Sequence, residues 1–233
     1  MALAFVTGGS RGLGFETAKA LKAAGNDVVL FARNTEKLHQ AGKALNAPSE
    51  FVELTDIQAT RNVFKSAVEK YGVPDILMLA HGVMSDRLAK TLKTNDEEWR
   101  RVMTINLDSV FTIVNEVGAK MAEARKGRVI VYSACLGRMS GPGNAGGLAP
   151  YRISKAGVNA LVRNLAHETG HGSRGFWIDA ICPNHSRTDM GGENAPRSAA
   201  EGAATAVWLA TRELIPGVTQ TGLLWEDNEV VPW

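Results

Sequence analysis

"LAFVTGGSRGLGFETAKALKAAG", residues 3–25, decides the fold. The run 3–9 is apolar and ends in glycines, which reads as a buried strand. Residues 12–24 carry helical spacing, and Gly25 ends them. The turn between them is "TGGSRGLG" (7–14), with glycines at Gly8, Gly12 and Gly14 and an extra one at Gly9. Glycines permit a tight turn, let backbone N–H groups approach a pyrophosphate, and present a helix N-terminus to its charge. The spacing is not the strict G-x-G-x-x-G, and a glycine-rich turn alone is weak evidence. Between a strand and a helix, the nucleotide reading outweighs the plain turn.

The same alternation continues outward. Strand-like runs fall at 27–33, 50–56, 75–82, 127–134, 176–183 and 222–227, and helical patterns at 57–72, 96–123, 151–169 and 198–212. Strands alternating with helices give a parallel sheet covered on both faces. Right-handed crossovers then make an α/β, doubly wound, Rossmann-type domain. Neither linker nor repeat divides the 233 residues, so one domain is expected over 1–233. The glycine-rich stretch 137–150 and the loop 183–199 both leave the sheet edge where such folds bind ligands.

Bulk properties narrow the function classes. A net charge of +2 with 45% hydrophobic residues speaks against a nucleic-acid or membrane surface. The pair Arg100-Arg101 reads as a solvated helix face. No apolar run reaches membrane-spanning length. Cys135 and Cys182 lie in apolar runs and read as free thiols of a reducing compartment, the cytoplasm.

Two further places carry chemistry. The second strand ends in "FARN" (31–34), with Arg33 where an NAD site usually places an acid. A guanidinium there, with Arg11 in the glycine turn, suits the 2′-phosphate of NADP(H). In "YRISK" (151–155), Tyr151 and Lys155 are four residues apart and share a helix face. An ammonium beside a phenol favours the phenolate, which would make Tyr151 a general acid/base nearer neutral pH. By chance alone the Y-x-x-x-K pattern is common.

Taken together, "TGGSRGLG", Asp56, "MTINL" with Asn106, "YRISK" and "ICPNHSRTDM" with Thr188 resemble the classical short-chain dehydrogenase/reductase family along essentially the whole chain. The stretches from "YRISK" to "RTDMGG" look most like its carbonyl-reductase-like members. The resemblance implies an NADP(H)-dependent oxidoreductase interconverting a small-molecule carbonyl and an alcohol. Tyr151 would move the proton, Lys155 would hold the nicotinamide ribose, and Asn106 a relay water. The implied cofactor contacts are Gly8, Ser10, Arg11, Gly12, Leu13 and Gly14 in the turn and Arg33 after the second strand. Leu54 and Asp56 follow the third strand, with Asp56 near the adenine, and Ala80 and Gly82 follow the fourth. Pro183 and Thr188 follow the sixth, alongside Tyr151 and Lys155. The family also implies a homodimer or homotetramer through 96–123 and 151–169, with a monomer the other state.

Three places depart from the family pattern. "LAHG" (79–82) stands where N-N-A-G is usual, and Pro183-Asn184 where P-G is usual, so that loop must bend without its glycine. In "VYSACLG" (131–137), alignment on Gly137 puts Ser133 on the first serine of the family pair and Ala134 on the second, catalytic one. Successive strand side chains face opposite ways. Either a bulge aims Ser133 at the substrate, or no serine serves, with Ser140 a distant stand-in. A member that binds cofactor but has lost or changed its reaction is the competing functional reading. "HETGH" (167–171) fits a zinc-protease pattern literally, but Gly170 should end the helix before His171, so no metal site is expected. Trp225 and Trp233 are candidate pocket walls, and His81 and His185 are near the expected site.

Overall fold

The protein is described from a computed structural model covering residues 1–86, 89–141 and 145–233. Eight strands form one sheet: β1 (Leu3–Thr7), β2 (Asp27–Ala32), β3 (Ser49–Phe51), β4 (Ile76–Leu79), β5 (Arg128–Tyr132), β6 (Trp177–Ile181), β7 (Leu224–Glu226) and β8 (Glu229–Val231). The helices are α1 (Gly12–Ala23), α2 (Thr35–Leu45), α3 (Ile57–Tyr71), α4 (Asp96–Met103), α5 (Ser109–Ile113), α6 (Ala119–Glu123), α7 (Ala149–Glu168) and α8 (Ala199–Thr211).

Strand order is β3-β2-β1-β4-β5-β6-β7-β8. The first seven strands pair in parallel, and β8 turns back antiparallel on β7. The chain winds outward one way from β1 and then restarts at β4 on its other side. The crevice outside the carboxyl ends of β1 and β4 is therefore the topological switch point, where such sheets bind ligands.

Strand alternation sorts the core into two layers. Phe5, Val29, Phe31, Leu77, Val129 and Val131 face one way, with Phe64, Ile113 and Val158 from α3, α5 and α7. Ala4, Val6, Val28, Leu30, Met78 and Ile130 face the other, with Leu21, Leu38 and Leu209 from α1, α2 and α8. A parallel sheet covered on both faces needs apolar residues at every strand position, which is why these strands read as unbroken apolar runs.

All seven expected strands are present, though shorter than their apolar runs. The structure adds α2 and β8. α2 starts on Asn34, whose side chain accepts from Lys37 N–H at 2.9 Å. The expected helix over 96–123 is continuous but twice widens into π turns, at Thr104–Asp108 and Val114–Gly118. Such widenings recur at functional sites, and Asn106 lies inside the first.

Candidate active site

A cleft of about 740 Å³ opens at the carboxyl ends of β1, β2, β4, β5 and β6. The turn after β1 forms one wall through Gly8, Ser10, Arg11, Gly12, Leu13 and Gly14. Gly8 has φ +65°, and a Cβ on Gly14 would collide with the Gly8 carbonyl. α1 begins without a capping side chain and with no acid in its first turn. Its free N–H groups and positive dipole end thus meet the cleft, a ready anion site.

Arg33, Asn34, Glu53 and Leu54 line the end reached by β2 and β3. Arg33 lies 3.8 Å from Glu53, and Arg11 pairs with Asp189 from the loop after β6. Each cation meets the cleft with an acid beside it. Asp56 is a correction. It is exposed, caps α3 by accepting Ala59 N–H at 2.9 Å, and does not line the cleft. A side-chain acceptor at a helix start is stabilising, and Asp56 takes that role on α3, while Glu53 and Leu54 take the cleft positions.

Ala80, His81 and Gly82 carry the wall on from β4. His81, expected near the site, is buried in a chain of hydrogen bonds. Its Nδ1 lies 2.7 Å from Thr7 Oγ1 and its Nε2 2.9 Å from Ser109 Oγ. With the Ser109 proton given to Ile105 O at 2.7 Å, its hydroxyl accepts from Nε2–H, and the Thr7 proton goes to Nδ1 at 2.7 Å in preference to Met78 O at 3.3 Å. That assigns the neutral Nε2–H tautomer. Burial, with the nearby Lys155 charge, pulls the imidazole down to about 3.

α7 delivers the tyrosine–lysine pair. Tyr151 sits in its first turn and Lys155 one turn on, both buried and both in the cleft wall. Lys155 Nζ donates to Tyr132 O at 2.7 Å and stands 5.9 Å from the Tyr151 ring centre. Burial pulls the lysine down to about 8. Burial also pushes the Tyr151 phenol up, with the Cys182 and Cys135 thiols adding to it. In the chain alone, burial is thus the largest influence on the phenol.

Asn106 does not line the cleft but braces it from behind. Its Oδ1 accepts from Val83 N–H at 2.8 Å, and its Nδ2 donates to Val83 O at 2.9 Å and Ser154 Oγ at 3.1 Å. Gly82 lies against both Asn106 Oδ1 and Lys155 Nζ. One side chain thus ties the segment after β4 to α7.

Ser133 lines the cleft, and of the two readings open for it the contacts of its hydroxyl favour the one without a serine donor. Its hydroxyl lies 2.5 Å from Asn159 Oδ1 and 3.4 Å from Lys155 O. Asn159 in turn donates to Gly137 O at 3.2 Å. The Ser133 proton therefore braces α7 rather than aiming at a substrate, and the backbone stays extended through Ala134 (φ −161°) with no bulge. Ser140 bonds Trp233 O at 3.2 Å, away from the cleft.

The loop after β6 supplies Pro183, Thr188, Asp189 and Met190 to the cleft. Asn184 makes the bend a glycine would make, at φ +57°, because asparagine tolerates the left-handed region. His185 holds this loop through Gly191 O at 2.8 Å.

Other expectations are redirected. Neither Trp225 nor the described residues of 137–150 line this cleft. Trp225 packs on Trp208 and bonds Asp179. Arg101, read as a solvated face, lines the cleft with Met84, held by Glu98 at 2.7 Å and by Met84 O at 2.9 Å. Its place becomes visible only when α4 is docked. In "HETGH", α7 ends at Glu168, and His167 and His171 bond each other at 3.0 Å. Among the described residues no group of three or more His, Cys, Asp or Glu could hold a metal, and no helix is long and apolar enough to cross a membrane.

Residues 2–199 match the family profile of short chain dehydrogenases. The chain belongs to the short-chain dehydrogenase family. Members are oxidoreductases that bind a nicotinamide cofactor. The chain is 33% identical over 187 residues to the 3-oxoacyl-(acyl-carrier-protein) reductase FabG of Rickettsia conorii, covering 79% of this chain and 73% of that protein. It is equally identical over 190 residues to the Escherichia coli protein of the same name, covering 81% and 75%. Among solved structures, a blue fluorescent protein from a metagenomic library, in complex with NADPH, superposes with a TM-score of 0.82 at 22% identity. That superposition covers 96% of this chain and 94% of the other, and shares the fold. In this short-chain dehydrogenase Tyr151 and Lys155 share the cleft wall with Ser133.

Proposed function

We propose that this short-chain dehydrogenase is an NADP(H)-dependent reductase of a ketone or aldehyde, working reversibly, with Tyr151 as proton donor. The observation that carries this reading is the buried Tyr151–Lys155 pair in one cleft with the uncapped N-terminus of α1. Gly8 and Gly14 leave room for a pyrophosphate against α1, and Arg11 and Arg33 supply cations for a 2′-phosphate. When bound, the nicotinamide supplies the hydride for the carbonyl carbon.

The chain's own residues do the rest. Tyr151, protonated by virtue of burial, donates from Oη to the carbonyl oxygen. Lys155, pinned by Tyr132 O, presents its remaining N–H groups to the cleft beside Gly82. Its charge and the N-terminal end of α7 both stabilise the phenolate left behind. The relatives' names make a 3-oxoacyl thioester the first substrate to try, alongside small ketones and aldehydes. The whole chain of 1–233 acts as one catalytic domain in this reading.

The test is NADPH consumption by the purified protein against a panel of 3-oxoacyl thioesters, ketones and aldehydes. Turnover is expected, with Tyr151→Phe lowering kcat by ~10²–10⁴ while NADPH still binds. Arg33→Ala should weaken NADPH at least about tenfold more than NADH. NADPH binding without turnover of any panel member would reject the reductase. It would favour the second reading, a cofactor-binding member with altered chemistry, which Ala134 and the bonded Ser133 hydroxyl support.

A further inference from the structure

Two thiols meet where β5 and β6 end, outside the cleft but against its tyrosine. β5 and β6 are parallel neighbours with Tyr132 opposite Ile181, and the pairing continues as Ser133 N–H donates to Ile181 O at 2.8 Å. Cys182 follows β6 directly, and Cys135 opens the short turn Cys135–Gly137. Cys135 N–H donates to Cys182 Sγ at 3.0 Å. Cys135 lies two positions beyond the residue that pairs with Cys182, and the turn it opens folds its backbone back onto the Cys182 sulfur, so the two side chains meet across the ends of the strands. Cys182 is buried and Cys135 only half-buried, so a small reagent meets Cys135 first.

We propose that Cys135 and Cys182 form a reversible oxidation site for peroxides, Cys135 as the attacking thiol and Cys182 as its resolving partner. The electrostatics favour that division of roles. Contact with Cys182 lowers the Cys135 thiol, with the Leu136 N–H and Arg138 helping and burial and Glu226 opposing. The same contact, with burial, raises Cys182. An accessible, low-pKa thiol beside a second cysteine is the arrangement that oxidises reversibly.

The chemistry closes with one peroxide. The Cys135 thiolate attacks a peroxide oxygen; an S–O bond forms, the O–O bond breaks, and the departing hydroxide takes a proton to become water. The sulfur is now a sulfenic acid, oxidised by two electrons. Cys182 sulfur attacks it; the S–S bond forms, the S–O bond breaks, and hydroxide leaves with the Cys182 proton as a second water.

The test uses the full chain, hydrogen peroxide, and alkylation followed by peptide mass spectrometry without reductant. The expected product is the Cys135 peptide joined to the Cys182 peptide, lighter by two hydrogens and restored by dithiothreitol. Before oxidation, Cys135 should alkylate at least about tenfold faster than Cys182 at neutral pH. In Cys182→Ala, Cys135 should pass on to sulfinic acid instead of cross-linking. In Cys135→Ser, Cys182 should stay a free thiol at the same peroxide dose. That variant, judged folded by circular dichroism, keeps the test open should Cys182→Ala not fold. Two thiols that remain alkylatable after peroxide, a cross-link only between copies, or faster alkylation at Cys182 would each overturn the proposal.

Discussion

At the scale of single residues, the end of β5 is where the sequence departs from the pattern it resembles. The serine donor of the pattern is replaced by Ala134, and the adjacent Ser133 is tied to Asn159. Ser133→Ala should leave Asn159 Oδ1 unpaired and cost ~1–3 kcal/mol, with kcat changed only a few-fold. Ala134→Ser should instead raise kcat without a matching change in stability, since one such donor is worth about a hundredfold or more. Urea unfolding and steady-state rates on both variants check the pair; a large kcat loss in Ser133→Ala alone would return Ser133 to the reacting centre. Tyr151 and Lys155 were legible because the i, i+4 spacing fixes a shared helix face whatever the rest of the fold does. The partner of Ser133 was not, because Asn159 comes close only when α7 docks on the end of β5. Asp56 misled for a local reason. An acid just before a helix serves equally as ligand contact and as cap, and here it is the cap.

At the scale of elements, the strand–turn–helix of 3–23 was legible in full because glycine placement, apolar run and helical spacing agree. α2 and β8 were not. α2 is short and solvent-facing, with Leu38 as its main anchor. β8 has three residues and exists through its pairing with β7. The π turn around Asn106 is likewise a tertiary product, shaped where one amide bridges Val83 and Ser154. Asn106→Ala should strand both Val83 backbone groups and destabilise the fold by ~2–4 kcal/mol. It should also lower turnover, because the segment after β4 loses its tie to Ser154, the neighbour of Lys155 on α7. Thermal and urea melts check this, and wild-type stability in the variant would show that the bridge carries no weight.

At the scale of the whole molecule, buried titratable groups make stability depend on pH. His81 is held neutral at about 3 in the folded chain, against its ordinary 6.5. The unfolded chain therefore takes up the proton first as pH falls. His81's contribution is intact above about 6.5 and is lost progressively from there toward 3. From pH 7 to pH 5 that amounts to ~2 kcal/mol. His81→Gln, which cannot titrate, should show a slope shallower by about one proton in urea midpoints across that range. Parallel slopes for the two proteins would disprove the assignment. The winding of the sheet has a kinetic consequence as well. β1 lies between β2 and β4, and its register with β4 joins residues some seventy positions apart. During synthesis, "LAFVT" therefore leaves the ribosome with only β2 available on one edge. Its other edge waits for residues 76–79, and the outer layer waits further for α7. An apolar strand held half-paired for that long is the segment that chaperones or self-association will capture first, so the stretch that organises the fold is also the one most exposed to its failure.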